Sequence, residues 1–509
     1  MKPILPLTQE FNFAACVLQV LRKHPALPAV ENEERIRTFG SLYSITIMIA
    51  IHMHSRGVGR SSCVGFDLHN TVFAIASTMA IALLGAKCIQ YPGPAVLKQA
   101  RVTHLLVDGD GKYGRESGVM KIDSSWTKLP DHLQPGTQIK FPGYESPDDV
   151  CMLISTSGST GGRKLVPLTY RQAFYRIFHT NIHCLGSSQT VFSLFENKRF
   201  STIFRYMAAL YLGRKIYAPF NKEHFFELPY EVDLLQASPS QIQSILSKGL
   251  NIKLQIKSIE LSGSLVTSSF LQECFKLSPK IFNLYGAIES GGICYSEFDQ
   301  ARYQFGYCGS ALEKVKIEIV DSSGRSVPFG QEGVIRTKSP GSAQEYLGET
   351  EASAKSFRNG WFYSGDVGFL TEKNELVLAG RSDDRINLGG VKINGAKLNA
   401  KLQSIENVND AMWFIETDSS ISDKLSVLAS CQHAYDESRM VRSIEEVISE
   451  EKVPSHNRGK IYLVANVPRN ANGKLMRDSA ILAAKEAHSV FRLDPKINHG
   501  TRDEAESRR

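Results

Sequence analysis

The sequence predicts an α/β protein: a large N-terminal domain of helix-covered β-sheets with a β-rich subdomain, followed by a small α+β C-terminal domain. Three observations predict it. Short apolar strands alternate with helical patterns along most of the chain, which sets helices over sheets. From Val315 the apolar spacing changes to period two, the spacing of a half-buried strand. With 509 residues, one core is too few, so at least two domains are expected.

The first strand–helix–strand unit reads Val64-Gly65-Phe66, an apolar helix from Val72, then a strand over residues 88–91. The run 71–86 is the most apolar in the chain and about a turn too short to span a bilayer. Lys87 follows it and a strand pattern resumes at Ile89, so it reads as a buried helix. Leu105-Leu106-Val107-Asp108 and Met152-Leu153-Ile154-Ser155 are short apolar strands ending in polar residues. In the β-rich subdomain Val315, Ile317 and Ile319 share one face, and Ser322-Ser323-Gly324 makes a turn. Gly333-Val334-Ile335-Arg336 and Leu376-Val377-Leu378 continue the style. A polar, glycine-bearing stretch at 381–395 then leads into a unit of about 100 residues, a usual size for a small domain. Its helix from Glu437 sets Met440, Val441, Ile444, Val447 and Ile448 on one face. The domains are expected at 1–381 and 382–495, with a charged, disordered tail at 496–509.

The net charge of +7 is small for this length, and Lys and Arg are scattered among acids. Nucleic acid is therefore not an expected partner; a mild attraction for polyphosphates is what the charge supports. Nine cysteines run from Cys16 to Cys431 without a CxxC pair, which argues against zinc and disulfides and for a reducing compartment. No secretory pattern opens the chain and no transmembrane segment is expected, so the expected location is the cytoplasm.

The strongest local signal is the run 155–164, Ser-Thr-Ser-Gly-Ser-Thr-Gly-Gly-Arg-Lys, directly after an apolar strand. Three glycines let backbone N–H groups face a polyphosphate, five hydroxyls add donors, and Lys164 supplies positive charge. The same composition suits a flexible linker. The GxxxxGK[ST] spacing of a Walker loop is absent.

This run resembles the signature loop of the adenylate-forming superfamily: acyl-CoA synthetases, aryl-acid ligases, nonribosomal-peptide adenylation domains and luciferases. The usual form is close to TSGTTGxPKG, and here Arg163 replaces its proline and Leu165 its final glycine. The resemblance implies that Thr156, Ser157, Gly158, Ser159, Thr160, Gly161 and Lys164 bind ATP. Four further motifs follow in family order. Asn283-Leu284-Tyr285-Gly286-Ala287-Ile288-Glu289 resembles NxYGxTE, which implies Asn283, Tyr285 and Gly286 at the nucleotide and Glu289 as a catalytic carboxylate holding Mg²⁺. Gly360-Trp361-Phe362-Tyr363-Ser364-Gly365-Asp366 resembles GW(F/Y)xTGD, which implies Asp366 on the ribose hydroxyls. Gly380-Arg381-Ser382-Asp383-Asp384 resembles GRxDD, which implies Arg381 at ribose or phosphate and a hinge at Asp383. Residues 468–475 resemble PRxxxGK, which implies that Lys474 meets the carboxylate and α-phosphate during adenylation. A preplaced ammonium there offsets the meeting of two anions.

The resemblance further implies a mobile C-terminal domain that presents Lys474 first and then a thiol channel bearing Gly389 and Gly390. It implies a substrate pocket near Glu196 and the run Ser262-Gly263-Ser264. The implied reaction joins a small-molecule carboxylic acid to AMP from ATP with Mg²⁺, releases pyrophosphate, and hands the acyl group to a thiol, CoA first. Two other readings stand beside it: a stand-alone ligase loading a carrier protein's phosphopantetheine in trans, and a weakly active nucleotide-binding remnant. Three further residues depart from the pattern. Ile288 replaces a threonine whose hydroxyl meets the phosphate or metal site, and Lys397 stands where a structural glutamate is usual. Glu196 is neither the His, the Asn nor the Asp found in the three subgroups; it either reads a substrate amine or pairs with Lys198 or Arg199.

Overall fold

A computed structural model describes the chain except residues 1, 6–8, 91–92, 110–117, 131–137, 158–162, 197–198, 300–302, 383–384, 389–390, 418–422, 432–436, 470–475, 477–478 and 494–509. The first sheet grows from the unit read in the sequence. Strand β1 (Cys63–Asp67) leads through helix α1 (Thr71–Leu83) to β2 (Lys87–Gln90), and β1 and β2 pair in parallel. Asn70 caps α1 by accepting from the N–H groups of Val72 and Phe73. The helix is buried along most of its length, so its unbroken apolar character reflects core packing. Strands β3 (His104–Val107), β4 (Val119–Lys121), β5 (Val150–Ser157) and β6 (Arg163–Thr169) complete the order β6-β5-β2-β1-β3-β4. Only β6 runs antiparallel, against β5. It feeds straight into helix α2 (Tyr170–Tyr175) through a capping box of Thr169 and Gln172.

The second sheet contains β7 (Thr190–Ser193), β8 (Lys215–Tyr217), β9 (Leu234–Ala237), β10 (Ser258–Ser262), β11 (Lys280–Ala287) and β12 (Gly291–Glu297). Its order is β12-β11-β10-β9-β7-β8, extended by the edge strands Pro28–Glu31 and Ile36–Thr38. The run β8-β7-β9-β10-β11 is wholly parallel, so one edge of the sheet collects the carboxyl ends of five strands. That edge is where open parallel sheets bind ligands. Helix α3 (Phe200–Tyr211) packs between the two sheets, with ten of its residues buried.

The β-rich subdomain is an antiparallel sheet of β13 (Tyr307–Ser310), β14 (Lys316–Val320), β15 (Gly333–Lys338), β16 (Trp361–Leu370) and β17 (Glu375–Arg381) in the order β13-β17-β16-β15-β14. Beyond it, β18 (Arg385–Leu388) and β19 (Val391–Asn394) form a hydrogen-bonded pair that precedes helix α4 (Gly395–Gln403). Strands β20 (Val408–Thr417), β21 (Asp423–Cys431), β22 (Arg458–Leu463) and β23 (Ser489–Arg492) make the last sheet, covered by helix α5 (Glu437–Glu450). Met440, Val441, Ile444 and Ile448 of α5 are buried, as the spacing predicted, and Val447 packs at the edge of the same cluster. The apolar clusters before residue 381 and those after Leu388 share no member among the described residues. The α/β class with a large N-terminal and a smaller C-terminal part is therefore the observed architecture. The expected tail, 496–509, lies outside the described residues.

Candidate active site

A tight turn between β11 and β12 carries Glu289. Gly286 and Ala287 pair with Gly292 and Gly291 across it. A Cβ on Gly286 would sit 2.4 Å from the Gly291 carbonyl oxygen, so only glycine fits that close approach. The turn is gripped from behind by Arg176, a buried residue at the start of a π-helical turn, Arg176–Asn181. Its guanidinium donates to three main-chain carbonyls: Nη1 to Ile288 O at 2.7 Å, Nη2 to Glu289 O at 2.9 Å and Nε to Gly341 O at 2.8 Å. Burial pulls the Arg176 pKa down to about 10, with Glu289 opposing the shift. The N–H of Ala343 also donates to Glu289 O, at 2.7 Å. The Glu289 side chain accepts from Tyr346 Oη at 2.8 Å, and Lys164 Nζ lies 4.8 Å from the centroid of the same tyrosine ring.

Lys164 belongs to the phosphate-loop motif, whose ends differ from a free loop. Strand β5 continues past Ile154 to Ser157, and β6 begins at Arg163, with Thr156 opposite Lys164 and Ser157 opposite Arg163. The β-branched, buried Thr156 extends the ladder instead of leaving it. Gly158, Ser159, Thr160 and Gly161 lie outside the described residues.

Four residues along from Glu289, Tyr285 begins a second cluster. Its hydroxyl donates to Asp366 Oδ2 at 2.6 Å, and Arg381 Nη1 lies 3.3 Å from Asp366 Oδ1. Asp366 and Arg381 face each other in the β16–β17 ladder, which explains the pairing of two motifs 15 residues apart. Burial first, and Asp366 second, push the Tyr285 phenol well above its usual range, so it stays neutral and keeps the proton that it donates to Asp366. Asn283 donates to Tyr307 O at 3.1 Å and braces β11 against the third sheet.

At the same sheet edge the end of β7 runs through Leu194, Phe195 and Glu196. Leu194 is held on both sides: its N–H donates to Gln236 O, and its carbonyl accepts from Gln241 Nε2, both at 2.8 Å. Lys222 Nζ donates to Ser193 O at 2.9 Å and to Phe195 O. Burial lowers the Lys222 pKa to about 8, against the raising influence of Glu196. Glu196 itself lies 3.7 Å from Arg199 Nε and is more than half exposed, the internal pairing that the sequence offered as its second alternative. Lys198 lies outside the described residues. Ser262 ends β10, and Gly263 follows with φ +100° and open space where a Cβ would project. Beneath these ends runs a buried polar row in register across β7, β9 and β10. Ser193 Oγ donates to Gln236 Oε1 at 3.1 Å, Gln236 Nε2 donates to Glu260 Oε1 at 3.0 Å, and Arg205 Nη2 reaches both Glu260 oxygens at 2.7 Å.

The structure thus brings Thr156, Lys164, Asn283, Tyr285, Gly286, Asp366 and Arg381 onto β5, β6, β11, β16 and β17, with Glu289 in the turn after β11 and Glu196, Ser262, Gly263 and Ser264 at the ends of β7 and β10. Ser157 closes β5. Lys474, Asp383, Gly389 and Gly390 lie outside the described residues. Lys397 is exposed near the start of α4, its N–H donating to Asn394 Oδ1 at 3.1 Å. Among the described residues no three His, Cys, Asp or Glu side chains converge. A cation at Glu289 would therefore rely on one carboxylate with phosphate and water oxygens, which fits Mg²⁺. Arg176, Tyr346, Lys222 and the Arg205–Glu260 pair escaped the sequence reading. Arg176 and Arg205 carried one signal, a lone arginine inside an apolar helical stretch; Tyr346 and Lys222 carried none.

Comparison with known proteins gives a match at two levels. A family model described as AMP-binding enzyme matches residues 17–347. The 2-succinylbenzoate–CoA ligase of Bacillus subtilis (strain 168) is 24% identical over 503 residues, covering 93% of this chain and 98% of that protein. The 4-coumarate–CoA ligase 2 of Nicotiana tabacum is 22% identical over 492 residues, covering 87% and 89%. The o-succinylbenzoate CoA synthetase (MenE) of Bacillus subtilis, solved with the acyl-adenylate intermediate OSB-AMP, superposes with a TM-score of 0.77 at 21% identity, covering 91% and 97%. The same synthetase solved with ATP and magnesium ion gives 0.76 at 22% identity, covering 91% and 98%.

Proposed function

The chain belongs to the AMP-binding enzyme family, and from that premise we propose that it is an AMP-forming acid–thiol ligase. The carboxylate of a small-molecule acid attacks the α-phosphorus of ATP, the bond to the β-phosphate breaks, and acyl-adenylate and pyrophosphate result. A thiol then attacks the acyl carbon and AMP leaves as the thioester forms. CoA is the thiol acceptor, because the named relatives are CoA ligases; a carrier protein's phosphopantetheine is the second acceptor to test.

The observation that carries this reading is the placement of two clusters on one strand and its turn. Tyr285 with Asp366 and Arg381 offers a ring face and a carboxylate for a nucleoside, and Glu289 with Tyr346 and Lys164 offers both charges that a polyphosphate and its cation need. Magnesium, when bound, neutralises phosphate oxygens and makes pyrophosphate a better leaving group. The chain's own residues do the rest. Asp366 anchors the ribose, Lys164 and the hydroxyl-rich run 155–161 hold the phosphates, and the acid lies against Glu196 and the run 262–264. Residues 1–381 form the adenylating domain and 382–495 the mobile one, turning at Asp383 to bring first Lys474 and then Gly389 and Gly390 to the reaction. Separate apolar clusters on either side support that division. We place the enzyme in the cytoplasm: all nine cysteines are unpaired and no described helix is long and apolar enough to cross a membrane.

The test is acid-dependent ATP–pyrophosphate exchange with the purified chain, across fatty, aryl and amino acids. Exchange with one class of acid, lost in Lys474→Ala, supports the ligase; binding of MgATP without exchange for any acid refutes it. One observation favours a second reading, a weakly active nucleotide-binding remnant: Ile288 presents an apolar, 37%-exposed side chain at the turn that carries Glu289. Ile288→Thr distinguishes the two. The ligase predicts a gain below about tenfold, whereas a gain approaching the thousandfold worth of a catalytic contact points to the remnant.

A further inference from the structure

Resting on the function just proposed, we infer that Tyr346 is a positioning residue: it stands between Glu289 and Lys164, keeps these opposite charges from neutralising each other, and holds both ready for MgATP. Its hydroxyl donates to Glu289 Oε1 at 2.8 Å, while its ring face takes the Lys164 ammonium, Nζ lying 4.8 Å from the centroid. Among the described residues no ion pair joins Lys164 to Glu289, although both lie against one side chain. A cation over an aromatic face is held far more loosely than one paired with a carboxylate, so it remains available to a phosphate. A hydrogen bond to one carboxylate oxygen leaves the other oxygen for a hard cation.

The spacer is rigid. Tyr346 is 6% exposed, its N–H donates to Ser353 Oγ at 2.9 Å, and its ring meets the Phe357 ring edge-on at 5.2 Å. The main chain of Glu289 is fixed independently by Arg176 and Ala343. With the ring and the Glu289 main chain both held, the hydroxyl stays aimed at the carboxylate. Ile288, next to Glu289, brings no polar side-chain atom to the turn, which leaves the hydroxyl of Tyr346 to aim the carboxylate.

Calorimetric titration of the full chain with ATP, in Mg²⁺ and in EDTA, tests this without any turnover. In Tyr346→Phe the ring stays and the hydroxyl goes. MgATP affinity is expected to fall about tenfold, the worth of a hydrogen bond to a charged group, while metal-free ATP binding is retained. In Tyr346→Leu the ring goes too, Lys164 drops onto Glu289, and metal-free ATP binding weakens as well. Adding Glu289→Gln to Tyr346→Leu removes the competing carboxylate and is expected to restore metal-free binding. Unchanged MgATP affinity in Tyr346→Phe overturns the inference, and so does a Tyr346→Leu loss that persists with Glu289→Gln. Parent chain that binds no MgATP overturns the proposed function together with this inference; parent that binds, with variants that match it, overturns this inference alone.

Discussion

Arg205 and Glu260 form an ion pair with neither side chain reaching solvent, beneath the strand ends that carry the proposed acid-binding segment. One guanidinium nitrogen meets both carboxylate oxygens at 2.7 Å, and Gln236 donates to the same carboxylate at 3.0 Å. In Glu260→Gln the amide keeps one acceptor and turns an N–H₂ toward the guanidinium. A buried positive charge is then left without its counter-ion, at a cost of about 3–5 kcal/mol in folding stability. The size of that figure comes from burial: the Arg171–Asp148 pair has the same chemistry but is 43% and 66% exposed, so Asp148→Asn is expected to leave stability close to that of the parent. Urea unfolding, with each variant beside the parent, reads both. Replacing the pair together, Arg205→Met with Glu260→Leu, removes both charges and is expected to stay within about 2 kcal/mol of the parent or exceed it. Glu260→Gln within about 1 kcal/mol of the parent would mean that the buried guanidinium does not depend on Glu260 for its counter-charge.

Gly286→Ala places a methyl against the Gly291 carbonyl, displaces the turn between Tyr285 and Glu289, and is expected to lower kcat/KM for pyrophosphate exchange by about 100-fold. Lys474→Ala is expected to lower exchange by about 10²–10³-fold, yet to convert supplied acyl-adenylate to thioester at the parent rate; equal loss of both steps contradicts the two-face use of the C-terminal domain. Lys222, drawn from 10.5 to about 8 by burial, sheds its proton in the folded chain before the unfolded chain does. Its contribution to stability therefore rises with pH between those values, and the parent is expected to gain on Lys222→Met across that window. A difference that stays constant with pH contradicts it.

Much of the architecture could be read from residue patterns because burial writes a period into sequence. The α1 run and the α5 stripe are cases where the apolar spacing and the buried residues coincide. The motif residues that meet in space, Tyr285 with Asp366 and Arg381, are 81 and 15 residues from Asp366 in sequence, and only the strand register of β16 and β17 brings the last two together. What stayed hidden was of another kind. Arg176 acts on main-chain carbonyls, and a carbonyl looks the same in every residue. Tyr346 acts through the space between two other side chains, which no spacing encodes. The phosphate motif looked like a loop from its composition, yet its two ends pair as strands because ladder hydrogen bonds outweigh the turn preference of Ser and Thr at those positions.

The reaction proposed for the chain runs through an acyl-adenylate. A carboxylic acid labelled with ¹⁸O in both carboxyl oxygens, taken through complete turnover with ATP and thiol, tests it by mass spectrometry of the nucleotide. Attack of the carboxylate on the α-phosphorus followed by thiol attack on carbon leaves one ¹⁸O in AMP, and that is the predicted result. Label in inorganic phosphate with ADP as the nucleotide product, or thioester formation with unlabelled AMP, would contradict the account.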